Sequence, residues 1–148
     1  MAIVYFDSSA LVKLVVEESG TELVAQLWDG CDAALSSRLA YPEVRAALAA
    51  AGRNHDLSKG DLAVALHTWE EYWAAVQPVE LTPAVERHAG ELASLHGLRG
   101  ADAVHLASAL AVDVEQLIMA VWDRRLHGGA AAENLSLAPT TIERSTRR

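Results

Sequence analysis

Two short apolar runs, Ile3-Val4-Tyr5-Phe6 and Leu117-Ile118-Met119-Ala120-Val121, constrain this chain more than any other feature. Each is long enough for a buried strand and too short for a helix. Each runs into an aspartate, Asp7 after the first and Asp123 after the second. Between them helical patterns alternate with weaker strand signals. Ala10, Leu11, Leu14 and Val15 predict a helix over 8–17. Gly20 breaks it, and Thr21 caps a second helix through Trp28. Ala33 to Ser36 reads as a short strand, 37–51 as a helix with Pro42 near its start, and 58–75 as another helix. Residues 77–81 form a weak strand. Thr82-Pro83 is an N-cap followed by proline at the first helical position, so a helix runs from there to His96, where Gly97 stops it. A helix over 100–112 precedes the strand 117–121. A short helix opens at Asp123 and is expected to end at Gly128-Gly129, with an edge strand over 135–137. Strands alternating with helices predict an α/β fold, a three-layer α/β/α sandwich with a mostly parallel central sheet. One domain over 1–142 and a polar tail over 143–148 account for the chain of 148 residues.

The net charge of −8 argues against passive nucleic-acid binding, which leaves a basic footprint. It does not exclude an enzyme that meets phosphates through bound metal. Cys31 is the single cysteine, so no intrachain disulfide forms, which suits a reducing cytoplasm. No apolar run reaches the length of a membrane span, and no secretory leader is expected.

Most acids lie on solvated helix faces, Glu17, Glu18, Glu70, Glu71 and Glu91 among them. Four do not. Asp7 ends the first strand. Glu43 opens a helix in Tyr41-Pro42-Glu43-Val44. Asp102 opens another in Gly100-Ala101-Asp102-Ala103-Val104-His105. Asp123 follows the late strand. Taken singly, each can be a cap or a favourable first-turn charge. Taken together, they fall at the carboxyl edge of one parallel sheet, where open α/β folds bind ligands. Gathered carboxylates cannot all stay ionised without a cation, and hard oxygen donors select magnesium or manganese over zinc. The chemistry this pattern predicts is metal-assisted phosphodiester hydrolysis.

Three segments carry a family resemblance: Tyr5-Phe6-Asp7-Ser8-Ser9-Ala10-Leu11, Ser36 to Leu48 around Glu43, and Leu98 to Ala109 around Asp102, the last followed by Val121-Trp122-Asp123-Arg124-Arg125-Leu126. Together they resemble the PIN-domain ribonucleases, in particular the VapC-type toxins of bacterial toxin–antitoxin pairs. The resemblance implies a Mg2+- or Mn2+-dependent endoribonuclease that cleaves cellular RNA, leaves a 5′-phosphate and a 3′-hydroxyl, and is neutralised by a cognate antitoxin. It implies that Asp7 and Asp102 ligate metal directly, that Glu43 does so directly or through water, and that Asp123 acts through water. Ser8 matches the small polar residue beside the first acid. Many relatives carry Ser or Thr two residues before the last acid. Here that position is Val121, which weakens the expected hydrogen-bond network without removing a carboxylate. A homodimer and an antitoxin groove are further implications, and the apolar faces of Leu11, Leu14, Val15, Leu23, Val24, Leu27 and Trp28 offer surface for both.

Arg99, Arg124 and Arg125 flank the acids and are candidate RNA-phosphate contacts, because guanidinium grips phosphate bidentately. Arg38 and Arg45 flank Glu43 and are read as structural partners of acids. Trp69 and Trp73 are read as core or interface, with stacking on an unpaired base as the alternative. His105 shares a side of its helix with Asp102, but no second histidine has ligand spacing, so it is read as a packing residue. No G-x-S-x-G elbow, phosphate loop or HExxH pair exists, and Lys13 and Lys59, the only lysines, cannot serve a receiver-type phosphoacceptor site. The alternative to the nuclease is a catalytically silent PIN-like module that binds RNA or protein.

Overall fold

Strand β1 (Ile3–Phe6) lies at the centre of a five-stranded sheet in the computed structural model, which describes residues 1–142. The other strands are β2 (Ala33–Ser37), β3 (Gln77–Val79), β4 (Leu117–Ala120) and β5 (Ser136–Ala138). Their order is β3-β2-β1-β4-β5, and every pairing is parallel. The helices are α1 (Ser8–Val15), α2 (Thr21–Gly30), α3 (Ala40–Arg53), α4 (Lys59–Ala75), α5 (Pro83–His96), α6 (Gly100–Ala111) and α7 (Arg124–Ala132). From β1 the chain builds outward through β2 and β3, then crosses back to place β4 and β5 on the other side. The carboxyl ends of β1 and β4 therefore flank a topological switch point, where a crevice opens for ligands.

The pleat explains the two cores. Tyr5, Leu35, Leu117 and Met119 point to one face and pack against Val85 and Leu92 of α5, Leu106 of α6 and Leu126 of α7. Val4, Phe6, Ala34 and Ala120 point to the other and meet Leu11, Val24, Val44, Leu48 and Trp69 of α1–α4. Period-two alternation along each strand thus supplies both layers of a three-layer sandwich.

Three sequence expectations change in detail. The third helix starts at Ala40, not residue 37, because β2 continues to Ser37 and Arg38 N–H still bonds the Val79 carbonyl. Helix α7 does not end at Gly128-Gly129 but runs to Ala132. Gly129 is buried there, and a Cβ on it would stand 3.3 Å from Leu98 Cδ1, so this glycine serves close packing and not termination. The apolar faces of α1 and α2 are largely spent inside the fold. Leu11 and Val24 are fully buried, and Leu14, Val15, Leu27 and Trp28 pack against the same core. No helix among the described residues is long and apolar enough to cross a membrane. The expected polar tail over 143–148 lies outside the described residues.

Candidate active site

Asp7 leaves β1 in an extended conformation and is 3% exposed. Its backbone N–H still bonds the Ala120 carbonyl of β4, so the sheet fixes its main chain. Its side chain caps α1, with Oδ1 accepting from Ala10 N–H at 2.9 Å. The cap of α1 is thus this aspartate and not a serine. The hydroxyl on Asp7 is that of Ser9 and not of its neighbour Ser8: Ser9 donates to Asp7 Oδ1 at 2.7 Å and accepts from Trp122 N–H at 3.2 Å. One serine thereby ties the first acid to the loop that carries the last.

Asp123 caps α7 in the same manner, with Oδ1 accepting from Leu126 N–H at 2.9 Å. Its neighbour Trp122 is held by Lys13, whose ammonium lies 5.2 Å from the ring centroid. Gly20, at φ +93°, lies against the same ring, and a Cβ there would stand 2.9 Å from it. Val121 is fully buried in the core between β4 and α7. Asp102 sits in the first turn of α6 and Glu43 in the first turn of α3. Asp7 and Asp123 both act as caps, and each has one oxygen engaged by a helix N–H while standing at the carboxyl edge of the sheet.

The charges show how the acids share one locale. Burial pushes the Asp7 carboxyl up to about 6, opposed by the His105 charge and by the Ser9 and Ala10 hydrogen bonds, and reinforced by Asp102. Asp102 is also raised, first by burial and next by Asp123, with Glu43 adding to the rise and Arg99 and His105 opposing it. Asp102 thus feels all three other acids or their neighbours across the switch point. A divalent cation relieves this kind of strain.

The donor set fits such a cation: four hard carboxylates on separate elements at one edge, two of them, Asp7 and Asp102, raised by burial and by neighbouring acids. Among the described residues no three acid or imidazole side chains close into a ready coordination shell. Magnesium does not need one, since it is commonly held through one or two carboxylates, water and substrate phosphate.

His105 is the residue whose part sequence reasoning missed. It is 1% exposed, as a packing residue should be. Its Nε2 lies 2.6 Å from Glu43 Oε1, and its Nδ1 lies 2.8 Å from the Tyr5 hydroxyl. A usable signal was present: a buried tyrosine near a strand end must find a polar partner, and His105 is, with Ser108, one of two buried polar residues on α6.

The arginines divide. Arg38 pairs with Glu80, and Arg45 pairs with Glu70 at 3.2 Å, a residue the Tyr41 hydroxyl also bonds. Both arginines are structural, as expected. Arg99, Arg124 and Arg125 are exposed, the first just before α6 and the others in the first turn of α7. Trp69 is fully buried against Tyr41 and Trp73, which removes it as a stacking platform, while Trp73 is only partly covered.

A three-layer sandwich with acids at the switch point of a 3-2-1-4-5 sheet defines a nuclease-like class of fold, and the chain belongs to the PIN-domain family: residues 4–123 match the PIN domain. Within that family it belongs with the VapC ribonucleases. It is 65% identical to ribonuclease VapC45 of Mycobacterium tuberculosis strain CDC 1551 over 143 residues, covering 97% of this chain and 99% of that protein. The same figures hold for ribonuclease VapC49 of strain H37Rv. Solved structures share the fold at low identity. PAE2754 from Pyrobaculum aerophilum aligns with TM-score 0.68 at 19% identity, covering 94% of this chain and 85% of that one. Mycobacterium tuberculosis VapC20, a sarcin-ricin loop cleaving toxin, aligns with TM-score 0.65 at 14% identity, covering 95% and 99%.

Proposed function

We propose that this chain is a magnesium- or manganese-dependent endoribonuclease toxin of the VapC kind, acting on cellular RNA in the cytoplasm and held off by a cognate antitoxin. The observation that carries the reading is the buried Asp7 at the end of the central strand, coupled in charge to Asp102, which is itself coupled to Asp123 and Glu43. Close identity to VapC ribonucleases over nearly the whole chain supports the reaction class.

The protein's part is position. Asp7 and Asp102 are the residues that would hold the cation, with Glu43 and Asp123 completing the acidic edge directly or through water. A divalent cation bound there supplies Lewis acidity and neutralises charge at the scissile phosphate. The β1 backbone and Ser9 keep Asp7 from swinging away. Arg99, Arg124 and Arg125 stand where they can grip flanking phosphates, which a chain of net charge −8 needs locally. Hydrolysis in line leaves a 5′-phosphate and a 3′-hydroxyl. A homodimer belongs to the same reading.

Purified protein incubated with structured RNA, with and without EDTA, tests the proposal. Cleavage that needs the metal and disappears in Asp7→Asn is the expected result. Cleavage that survives EDTA, or is undiminished in Asp7→Asn, overturns it. RNA or partner binding with no metal-stimulated turnover would instead favour the silent binding module.

A further inference from the structure

Tyr5, His105 and Glu43 form a continuous buried chain of hydrogen bonds. The Tyr5 hydroxyl lies 2.8 Å from His105 Nδ1, and His105 Nε2 lies 2.6 Å from Glu43 Oε1. The two rings meet nearly edge to face, at 79°. Tyr5 is 0% and His105 1% exposed, whereas the Glu43 side chain is 27% exposed. The chain therefore starts in the core and ends at the acidic edge.

Its chemistry is directional. An ionised carboxylate only accepts, so His105 Nε2–H is the donor to Glu43. The Tyr5 hydroxyl can both donate and accept, so it engages Nδ1 whether or not that nitrogen carries a proton. That orients the imidazole with Nε2–H toward the acid.

Packing alone does not call for this arrangement. Ala103, Leu106 and Ala109 of the same helix are buried without polar partners, and an apolar side chain at position 105 would need none either. Burying an imidazole and a phenol there is costly unless both are bonded. The bonds they make reach across three elements. Tyr5 lies on β1 two residues before Asp7, His105 lies on α6 three residues after Asp102, and Glu43 lies on α3. One hydrogen-bond chain therefore sets the spacing of the three elements that carry three of the four acids. A glutamate side chain, with three rotatable bonds, also needs such a partner to present its carboxylate in one orientation.

We propose that Tyr5 and His105 are positioning residues for the nuclease site, fixing the Glu43 carboxylate and the separation of Asp7, Asp102 and Glu43. This rests on the reading of Glu43 as part of a divalent-cation site.

The experiment measures Mn2+ binding to the RNA-free protein by the loss of the free-ion EPR signal, together with the manganese dependence of RNA cleavage and thermal melting. The variants are Tyr5→Phe, His105→Leu, His105→Gln and Glu43→Gln. Tyr5→Phe and His105→Leu should weaken Mn2+ binding about 10- to 100-fold, the usual cost of losing an outer hydrogen-bond partner. Their cleavage should fall most at low manganese and recover as the ion concentration rises. His105→Gln retains an N–H donor and should recover part of the affinity. Tyr5→Phe keeps the ring, so it decides the matter should His105→Leu fail to fold. Folded Tyr5→Phe and His105→Leu proteins that bind Mn2+ as tightly as the parent, while Glu43→Gln binds it weakly, overturn the positioning role alone. A parent protein that binds no Mn2+ overturns the metal-site reading, and the positioning role falls with it.

Discussion

The Ser9 hydroxyl donates a 2.7 Å hydrogen bond to Asp7 Oδ1. The same oxygen accepts Trp122 N–H, so one side chain ties the carboxyl end of β1 to the segment that follows β4 and carries Asp123. In the relatives the sequence resembles, a hydroxyl two residues before the last acid is expected. Here that position is Val121, spent in the core. A link between the two acid-bearing ends nevertheless exists, supplied from the other side.

Ser9→Ala should therefore be felt at both ends. It removes one bond to a buried carboxylate and leaves Trp122 N–H without its acceptor. A loss of about 1–3 kcal/mol in urea unfolding is expected, as for an unmatched buried polar group. Cleavage should fall as well, and Ser9→Thr should restore part of both. Unchanged stability and activity in Ser9→Ala would show that the link is idle.

Asp7 makes stability depend on pH in a stated direction. Its folded value, about 6, lies above its ordinary 3.8. The folded protein therefore holds the proton more tightly than the unfolded chain. The stability from this group is fully present below about 4 and is lost as pH rises through about 6. Asp102, also raised, acts in the same sense. Without divalent ions, the protein should be less stable at pH 8 than at pH 5. Asp7→Asn keeps an oxygen for the Ala10 and Ser9 hydrogen bonds and removes the buried charge. At pH 8 it should match or exceed the parent in metal-free melting, by at most about 3 kcal/mol, while cleavage is lost. Added Mg2+ should stabilise the parent at pH 8 and leave Asp7→Asn unmoved. A metal-free Asp7→Asn protein that melts well below the parent at pH 8 would contradict this account.

How legible was all this in the sequence? The parallel sheet was, because Ile3–Phe6 and Leu117–Val121 could be little else and the cap at Thr82 behaves as written. The acids were singled out by where they break apolar runs. What stayed hidden is what depends on contact across elements. Nothing local says that Ser9 and not Ser8 faces Asp7, or that Gly129 lies under Leu98 and continues a helix instead of ending it. His105 resembled a packing residue and is one. Only the fold brings Tyr5 and Glu43 to its two nitrogens, from positions separated by 100 and 62 residues.

Arg99 separates charge from packing. It is exposed, and its charge opposes the rise at Asp102. Arg99→Ala should change melting by less than about 0.5 kcal/mol, as exposed substitutions do. It should raise KM for RNA several-fold, with a weaker salt dependence of binding than the parent shows, because a phosphate contact releases counterions. An unaltered KM and salt slope would remove Arg99 from the phosphate contacts and leave Arg124 and Arg125 to be tested.

Gly20 offers a check on the far side of the site. Its backbone takes φ +93°, which L side chains rarely adopt, and its open Cα face lies against Trp122. A methyl group there would meet the ring at 2.9 Å. The ring cannot retreat freely, since Lys13 lies over it and the Lys13 ammonium is itself paired with Glu18 at 2.9 Å. Gly20→Ala should cost about 1–3 kcal/mol of stability through backbone strain and overpacking together. The push falls on the residue next to Asp123, so cleavage should drop more than melting alone explains. Trp122→Phe, which shortens the ring, should relieve the clash in the double variant, and recovery of cleavage there would locate the effect at the Trp122–Asp123 segment. A double variant no more stable than Gly20→Ala would place the cost in the backbone conformation alone.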